Sequence, residues 1–370
     1  MNWIKNLLLL CFSLLIAYCM LVVGDWFLLR NSNIRATSKA ALIETKRLEK
    51  DDKSLIERAV LEGYSPPLSP SVMDTLRPDY PLIAGLPNTD TYLCNEGYGL
   101  IKYRSDRFGF RNNDEDWDRP NKKIMIGDSF VHGACVTSRH TLTKNIEKNT
   151  NEVILNLGIG GNNPSDYLTY GELFIPKVMP SDVYLVFYPN DNGLKNPSIL
   201  EQVYVDEGRK LFSPTELQLF DTEFFKSEGL KLLDILRKTK STETNILKTY
   251  KAFRRHASLP IIVELLSRSN KQFEKTKQTI QSIDELCRYY ACNLTVVFIP
   301  NSDFWQPDPR ADSYGDKIAE LTSGLGLEFV DGRYFIDSSE DSKDYAIKGG
   351  HLSPLGYEKI AKAITSSATD

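Results

Sequence analysis

The stretch Ile124–Val136, IMIGDSFVHGACV, decides the fold. A run of strand-forming residues stops abruptly at Gly127-Asp128-Ser129. A small residue, an acid and a hydroxyl after a buried strand serve equally well as a helix N-cap or as a nucleophile held at the mouth of a sheet. These residues alone do not choose between the two, so the neighbouring sequence must.

Outward from this stretch the chain keeps one rhythm. Apolar strand segments at Ile124–Ile126, Val153–Leu157, Val183–Phe187 and Leu294–Ile299 alternate with helical periodicity at Ser138–Lys148, Asp166–Val178 and Gln272–Tyr290. Alternation of this kind predicts an α/β domain, a parallel sheet sandwiched by helices. Residues 193–270 break the rhythm. They are too long for a plain loop and read as a mostly helical insertion within a domain spanning 122–370.

In such a sheet the reactive crevice lies beyond the carboxyl ends of the strands. Four polar segments fall there: Gly127-Asp128-Ser129; Asn156–Pro164, NLGIGGNNP; Phe187–Asn192, FYPNDN; and Gly349–Tyr357, GGHLSPLGY. The first places a hydroxyl where helix-start N–H groups favour developing negative charge. The second offers backbone donors without side-chain obstruction. The third supplies the amide of Asn190, and the fourth holds His351, one of four histidines, in a glycine-flanked turn.

Together these four blocks resemble the SGNH (GDSL-type) hydrolase superfamily, from about Lys122 to the C-terminus. The resemblance implies a flavodoxin-like sheet and no cofactor or metal. It implies Ser129 as nucleophile and His351 as general base. It implies an oxyanion hole from the backbone N–H groups of Ser129 and Gly161 and the side-chain amide of Asn190. Asp128 and Asp191 are read as holding loops. Pro189 stands where members often carry Gly. The usual acid, an Asp three residues before the His, is replaced by Lys348. Asp344, Asp341 and Asp331 are the substitutes, Asp344 first, with a Ser-His dyad as the alternative. The implied activity is acyl transfer on an oxygen ester: removal of an acetyl group from a cell-surface carbohydrate, or transfer to a polysaccharide, or, on a decayed site, binding without catalysis.

The remainder of the chain frames this domain. Nineteen uncharged residues separate Lys5 from Asp25, nearly enough for a helix to cross a bilayer. The core is long and lacks a small-residue exit, so residues 1–30 read as a single-pass signal-anchor rather than a cleaved leader. Basic residues after the span argue for a cytoplasmic bulk, whereas the short N-terminal tail and the resemblance favour an extracytoplasmic one. Residues 31–70 read as a helical stalk ending in a proline-rich linker, or as a helix packed on the main domain. Residues 71–121 read as a small β-hairpin element packed on that domain, with the aromatic group of YRSDRFGF as core rather than as a sugar platform. Cys94, Cys135, Cys287 and Cys292 permit disulfides, though buried thiols are the plainer reading, and their spacing fits no zinc site. His132 and His140 read as helix-face residues, and the Asn293 sequon as accidental. With 45 basic against 49 acidic side chains, no positive field exists to gather nucleic acid.

Overall fold

The central strands of the main sheet are largely apolar because both of their faces are covered. In this computed structural model, which describes residues 12–14, 16–23, 53–65, 83–192, 226–227, 230–231, 271–308 and 310–367, a two-stranded antiparallel hairpin comes first. It consists of β1 (Asp90–Tyr92) and β2 (Lys102–Arg104). The main sheet follows: β3 (Lys122–Gly127), β4 (Val153–Gly158), β5 (Asp182–Phe187), β6 (Asn293–Phe298) and β7 (Glu328–Asp331). All pairings are parallel, in the order β4-β3-β5-β6-β7. Only β7 is absent from the strands read in the sequence, and it is short and half-exposed at its start.

The helices after the hairpin that pack about this sheet are α1 (Ser129–His132), α2 (Leu142–Thr150), α3 (Pro164–Val178), α4 (Lys271–Tyr290), α5 (Ala311–Leu325) and α6 (Pro354–Ser367). Strand side chains alternate between two cores. Ile124, Ile126, Leu155 and Leu157 pack with Tyr167 and Phe174 of α3, Ile283 of α4 and Tyr314 of α5. Met125, Ile154 and Val186 face the other way, onto Ile146 of α2 and Ile360 of α6. Burying each such side chain contributes about 1.5–3 kcal/mol. The chain leaves β3 towards β4 under α1 and α2, then returns past β3 to β5 under α3. That reversal places a crevice at the carboxyl ends of β3 and β5.

Local chemistry sets the element ends. The helix expected from Ser138 is a short 3₁₀ turn, Ser138–His140, followed by α2, because the Thr141 side chain accepts from the Lys144 N–H and starts the helix there. Asn163 and Asp166 form a capping box on α3, with Pro164 in its first turn.

The segment before the sheet is sewn onto the α3 face. Phe108 and Phe110 meet Phe174 edge-on and Trp117 meets it at a tilt, at ring separations of 5.4–5.6 Å. Asp106, fully buried, accepts from Asn112 Nδ2, Trp117 Nε1 and the N–H groups of Phe108 and Phe110. Burial nevertheless pushes its carboxyl up to about 6. Gly109 has φ +90° and lies so close to Gly85 that a Cβ would strike the Gly85 carbonyl.

Of the expected anchor, residues 12–14 and 16–23 are helical and the rest lies outside the described residues. Among the described residues no helix is long and apolar enough to cross a membrane. Residues 53–61 of the expected stalk are helical, and its linker lies outside the described residues. The expected insertion at 193–270 also lies outside them, apart from 226–227 and 230–231, which are helical. The four cysteines of the folded region are not free thiols. Cys94 pairs with Cys135, and Cys287 with Cys292.

Candidate active site

Ser129 follows β3 directly and opens α1. Asp128, 2 % exposed, caps that helix by accepting from the Phe130 N–H at 2.9 Å. The helix is a single turn ending at Gly133, with φ +74°. It therefore offers local N–H groups rather than the field of a long helix.

The three later blocks converge on this serine. Gly158 at the end of β4 packs so tightly on α1 that a Cβ would collide with the backbone of Val131 and His132. Two residues on, a Cβ at Gly160 would sit 3.7 Å from Ser129 Cβ, and Gly161 follows with φ +93°, a conformation a side chain resists. Asn190, after β5, donates through Nδ2 to Asp128 Oδ2 at 3.3 Å. A primary amide carries two donor hydrogens, so this bond orients the group and leaves one for a ligand. Asp191 holds the same loop, accepting from Tyr167 Oη at 2.8 Å and the Tyr188 N–H at 3.0 Å.

His351 closes the arrangement. Its Nε2 lies 2.9 Å from Ser129 Oγ, with the ring beside Phe130 at a centroid separation of 5.1 Å. Its Nδ1 lies 2.7 Å from Oε1 of Glu96, and its backbone N–H donates to Glu96 Oε2 at 3.2 Å. With a carboxylate at Nδ1, the ring proton sits there and the Nε2 lone pair faces the serine hydroxyl.

The acid beside the histidine is thus Glu96, and the expected Asp344 is not at the ring. Asp344, 2 % exposed, is committed elsewhere: its carboxylate accepts from the Asp337 N–H at 2.9 Å and from Lys359 Nζ at 2.6 Å. Asp331 is bound to Arg333, Nη2 to Oδ2 at 2.7 Å. Neither a dyad nor an acid from the histidine's own loop describes the geometry.

Glu96 lies in the turn joining β1 and β2. The turn reaches the site because Lys348, at the position of the missing Asp, donates its backbone N–H to the Glu96 carbonyl at 3.1 Å. The absence of a side chain at Gly349 leaves room, since a Cβ there would collide with the Glu96 carboxyl. The Cys94–Cys135 disulfide ties the same turn to the segment after α1. This was the signal available in the sequence: Cys94 lies two residues before Glu96, and Cys135 six after Ser129. Glu96, Cys135 and His351 offer ligand-type atoms within 4.8 Å of one another, but the sulfur is consumed by the disulfide and cannot bind a cation as thiolate.

Electrostatics around the imidazoles of His351 and His132 run in opposite directions. Burial pulls the His351 pKa down, yet the charge and hydrogen bond of Glu96 outweigh it, with help from Asp128, and the ring is held above 6.5. His132 is pushed down to about 3 by burial and by the Arg111 and His351 charges. The contribution of His351 to stability is complete below pH 6.5 and is lost as pH rises through its raised value. That of His132 is present above pH 6.5 and lost as pH falls towards about 3. Thermal midpoints recorded from pH 7 to pH 4 should therefore fall less steeply in His132→Asn than in the unaltered chain; an identical slope would show that His132 is not neutral in the fold.

No family model matches this chain, and no curated protein matches it. Among solved structures, the chain is similar to a lipase/acylhydrolase from Enterococcus faecalis, at 13% identity and a TM-score of 0.39, over 66% of this chain and 94% of that one. A GDSL-like lipase from Bacteroides thetaiotaomicron aligns at 10% identity and a TM-score of 0.38, over 70% of this chain and 90% of the other. A member of the lipolytic G-D-S-L family from Veillonella parvula aligns at 11% and 0.36, over 67% and 98%.

Proposed function

We propose that the chain is a serine esterase that removes an acyl group, acetyl in the first instance, from an oxygen ester on a cell-surface carbohydrate. The observation that carries the reading is the line Ser129 Oγ, His351 Nε2, His351 Nδ1, Glu96 Oε1, with hydrogen-bonding separations of 2.9 and 2.7 Å at its two ends. A hydroxyl, an imidazole in the accepting tautomer and an orienting carboxylate are the parts an activated serine needs.

Ser129 Oγ attacks the ester carbonyl while Nε2 takes its proton. The carbonyl electrons move onto oxygen, where the N–H groups of Ser129 and Gly161 and the amide of Asn190 stabilise the charge. Glu96 stays ionised and stabilises the imidazolium. Collapse of the adduct expels the alkoxide, which leaves as an alcohol with the proton from Nε2, and an acyl-serine forms. Water, deprotonated by Nε2, repeats the sequence and releases the carboxylic acid. Pro189, in place of the usual glycine, is compatible with these roles, because Asn190 still follows the strand and meets Asp128.

Two disulfides support an oxidising compartment for this domain. The uncharged N-terminal stretch supports a single-pass anchor, and the short tail before it, with the resemblance, favours a domain outside the cytoplasm. The acetyl group and the carbohydrate rest on the resemblance to anchored SGNH proteins that add or remove acetyl groups on surface polysaccharides.

The full chain in detergent is expected to hydrolyse p-nitrophenyl acetate, and more slowly the octanoate, without added metal. A preference for the long chain would overturn the acetyl assignment. If oligosaccharide acceptors accelerate nitrophenol release and become acetylated, the same acyl-serine serves transfer rather than hydrolysis.

A further inference from the structure

His132 stands one turn after Ser129 and takes no part in the steps above. It is 2 % exposed, and both ring nitrogens are occupied. Nδ1 lies 3.3 Å from the backbone N of Gly160, and Nε2 lies 3.0 Å from Tyr103 Oη. A backbone N–H can only donate, so Nδ1 must be the accepting nitrogen. The neutral ring then carries its proton on Nε2 and gives it to the Tyr103 hydroxyl. A neutral imidazole agrees with the depressed pKa.

Its surroundings leave it one position. Arg111 donates to the carbonyls of His132 at 3.3 Å, Gly133 at 2.7 Å and Val136 at 2.9 Å, clamping the end of α1. The same guanidinium lies over the Tyr103 ring at 5.1 Å, and that ring meets His132 edge-on at 5.6 Å. Asn156 Nδ2 bonds the Val131 carbonyl at 2.6 Å while its Oδ1 accepts from the Gly158 N–H at 2.9 Å, locking α1 to the end of β4.

The contact with Gly160 is where this rigidity reaches the reaction. Gly160 and Gly161 carry no side chains that could fix their peptide planes, and glycine pairs sample many conformations. Pinning the Gly160 N–H sets one plane; the next peptide, one Cα away, carries the Gly161 N–H. We propose that His132 is the positioning residue of the oxyanion hole: it holds the Gly160 N–H and so aims the Gly161 N–H at the carbonyl above Ser129, with the Tyr103 hydroxyl of β2 anchoring the ring through Nε2. The hairpin before the main domain thus supports both halves of the site, Glu96 behind the base and Tyr103 behind the hole. The inference rests on the serine-esterase reading.

Steady-state hydrolysis of p-nitrophenyl acetate by the full chain tests it through two substitutions at one position. His132→Asn keeps an acceptor near the place of Nδ1, whereas His132→Leu has none. Loss of one hole donor lowers turnover about 10²–10³-fold. The Leu variant should approach about a 10²-fold loss in kcat with KM changed less than threefold, while the Asn variant stays within about tenfold of the unaltered chain. Tyr103→Phe, which leaves the core shape intact, should lower kcat by several-fold to about tenfold, again with KM steady. Equal losses for Asn and Leu, losses in KM alone, or an unchanged kcat in Tyr103→Phe would each overturn the assignment. Should the Leu variant fail to fold, judged by its thermal midpoint, Tyr103→Phe and His132→Asn decide. Ser129→Ala separates the two levels: activity surviving in that variant sinks the esterase reading, whereas an inactive Ser129→Ala beside a fully active His132→Leu sinks only the positioning role.

Discussion

Ser129→Ala and His351→Ala are each expected to lower kcat for p-nitrophenyl acetate by about 10⁶, and the double variant by no more than either alone. The reason is geometric. Oγ and Nε2 at 2.9 Å share one proton, and neither can activate the ester without the other. A residue of about 10³–10⁴ over water should survive in all three, because the hole and the binding surface are untouched. Neither substitution should disturb the fold greatly: Ser129 Oγ bonds to the histidine rather than to the core, and His351 is part-exposed. Initial rates with circular dichroism as the control provide the check. Activity in Ser129→Ala within tenfold of the unaltered chain would place the nucleophile elsewhere.

Glu96→Gln should lower kcat by about 10³–10⁴, the loss seen when a triad acid becomes an amide. Size and packing against Gly349 are kept, but the charge that stabilises the imidazolium is gone, and the new NH₂ group can turn the ring to the wrong tautomer. The pH profile should move as well. In the unaltered chain Glu96 holds His351 above 6.5 against burial, so the acid limb of kcat/KM lies above that pH. Without the carboxylate burial acts almost alone, and the limb shifts to lower pH even as the plateau drops. Asp344→Asn makes the contrast. It removes a buried partner of Lys359 and should reduce the thermal midpoint while leaving the acid limb in place. A limb that moves in Asp344→Asn and stays in Glu96→Gln would reverse the assignment of the acid.

The sheet was legible because a parallel strand buried on both faces carries a mostly apolar run, as the centres of β3, β4, β5 and β6 do. β7 was not, having only Phe329 and Val330 between polar neighbours and a half-exposed start. Ser129, Gly161 and Asn190 could be read because an open sheet gathers whatever follows its strands, whereas His351 was read from its glycine-flanked turn and the resemblance, and the structure brings it to Ser129. Glu96 escaped that logic. It lies on a turn of a separate hairpin, 255 residues from its histidine, and enters through one backbone bond at Lys348, a disulfide and the space left by Gly349. Proximity in sequence favoured Asp344 instead, yet a lysine one helical turn into α6 had already claimed it. His132 was hidden differently. Its place on a helix face was correct, but its neighbours come from β2 and from the turn after β4, and no periodicity records them.

The most direct measurement is the rate and position of labelling by a fluorophosphonate, located by mass spectrometry on the full chain. The structure predicts one adduct, on Ser129, formed rapidly in the unaltered chain, at least a hundredfold more slowly in Glu96→Gln, and absent in Ser129→Ala. An adduct on another residue, or a Ser129 that labels equally fast without the Glu96 carboxylate, would contradict the triad.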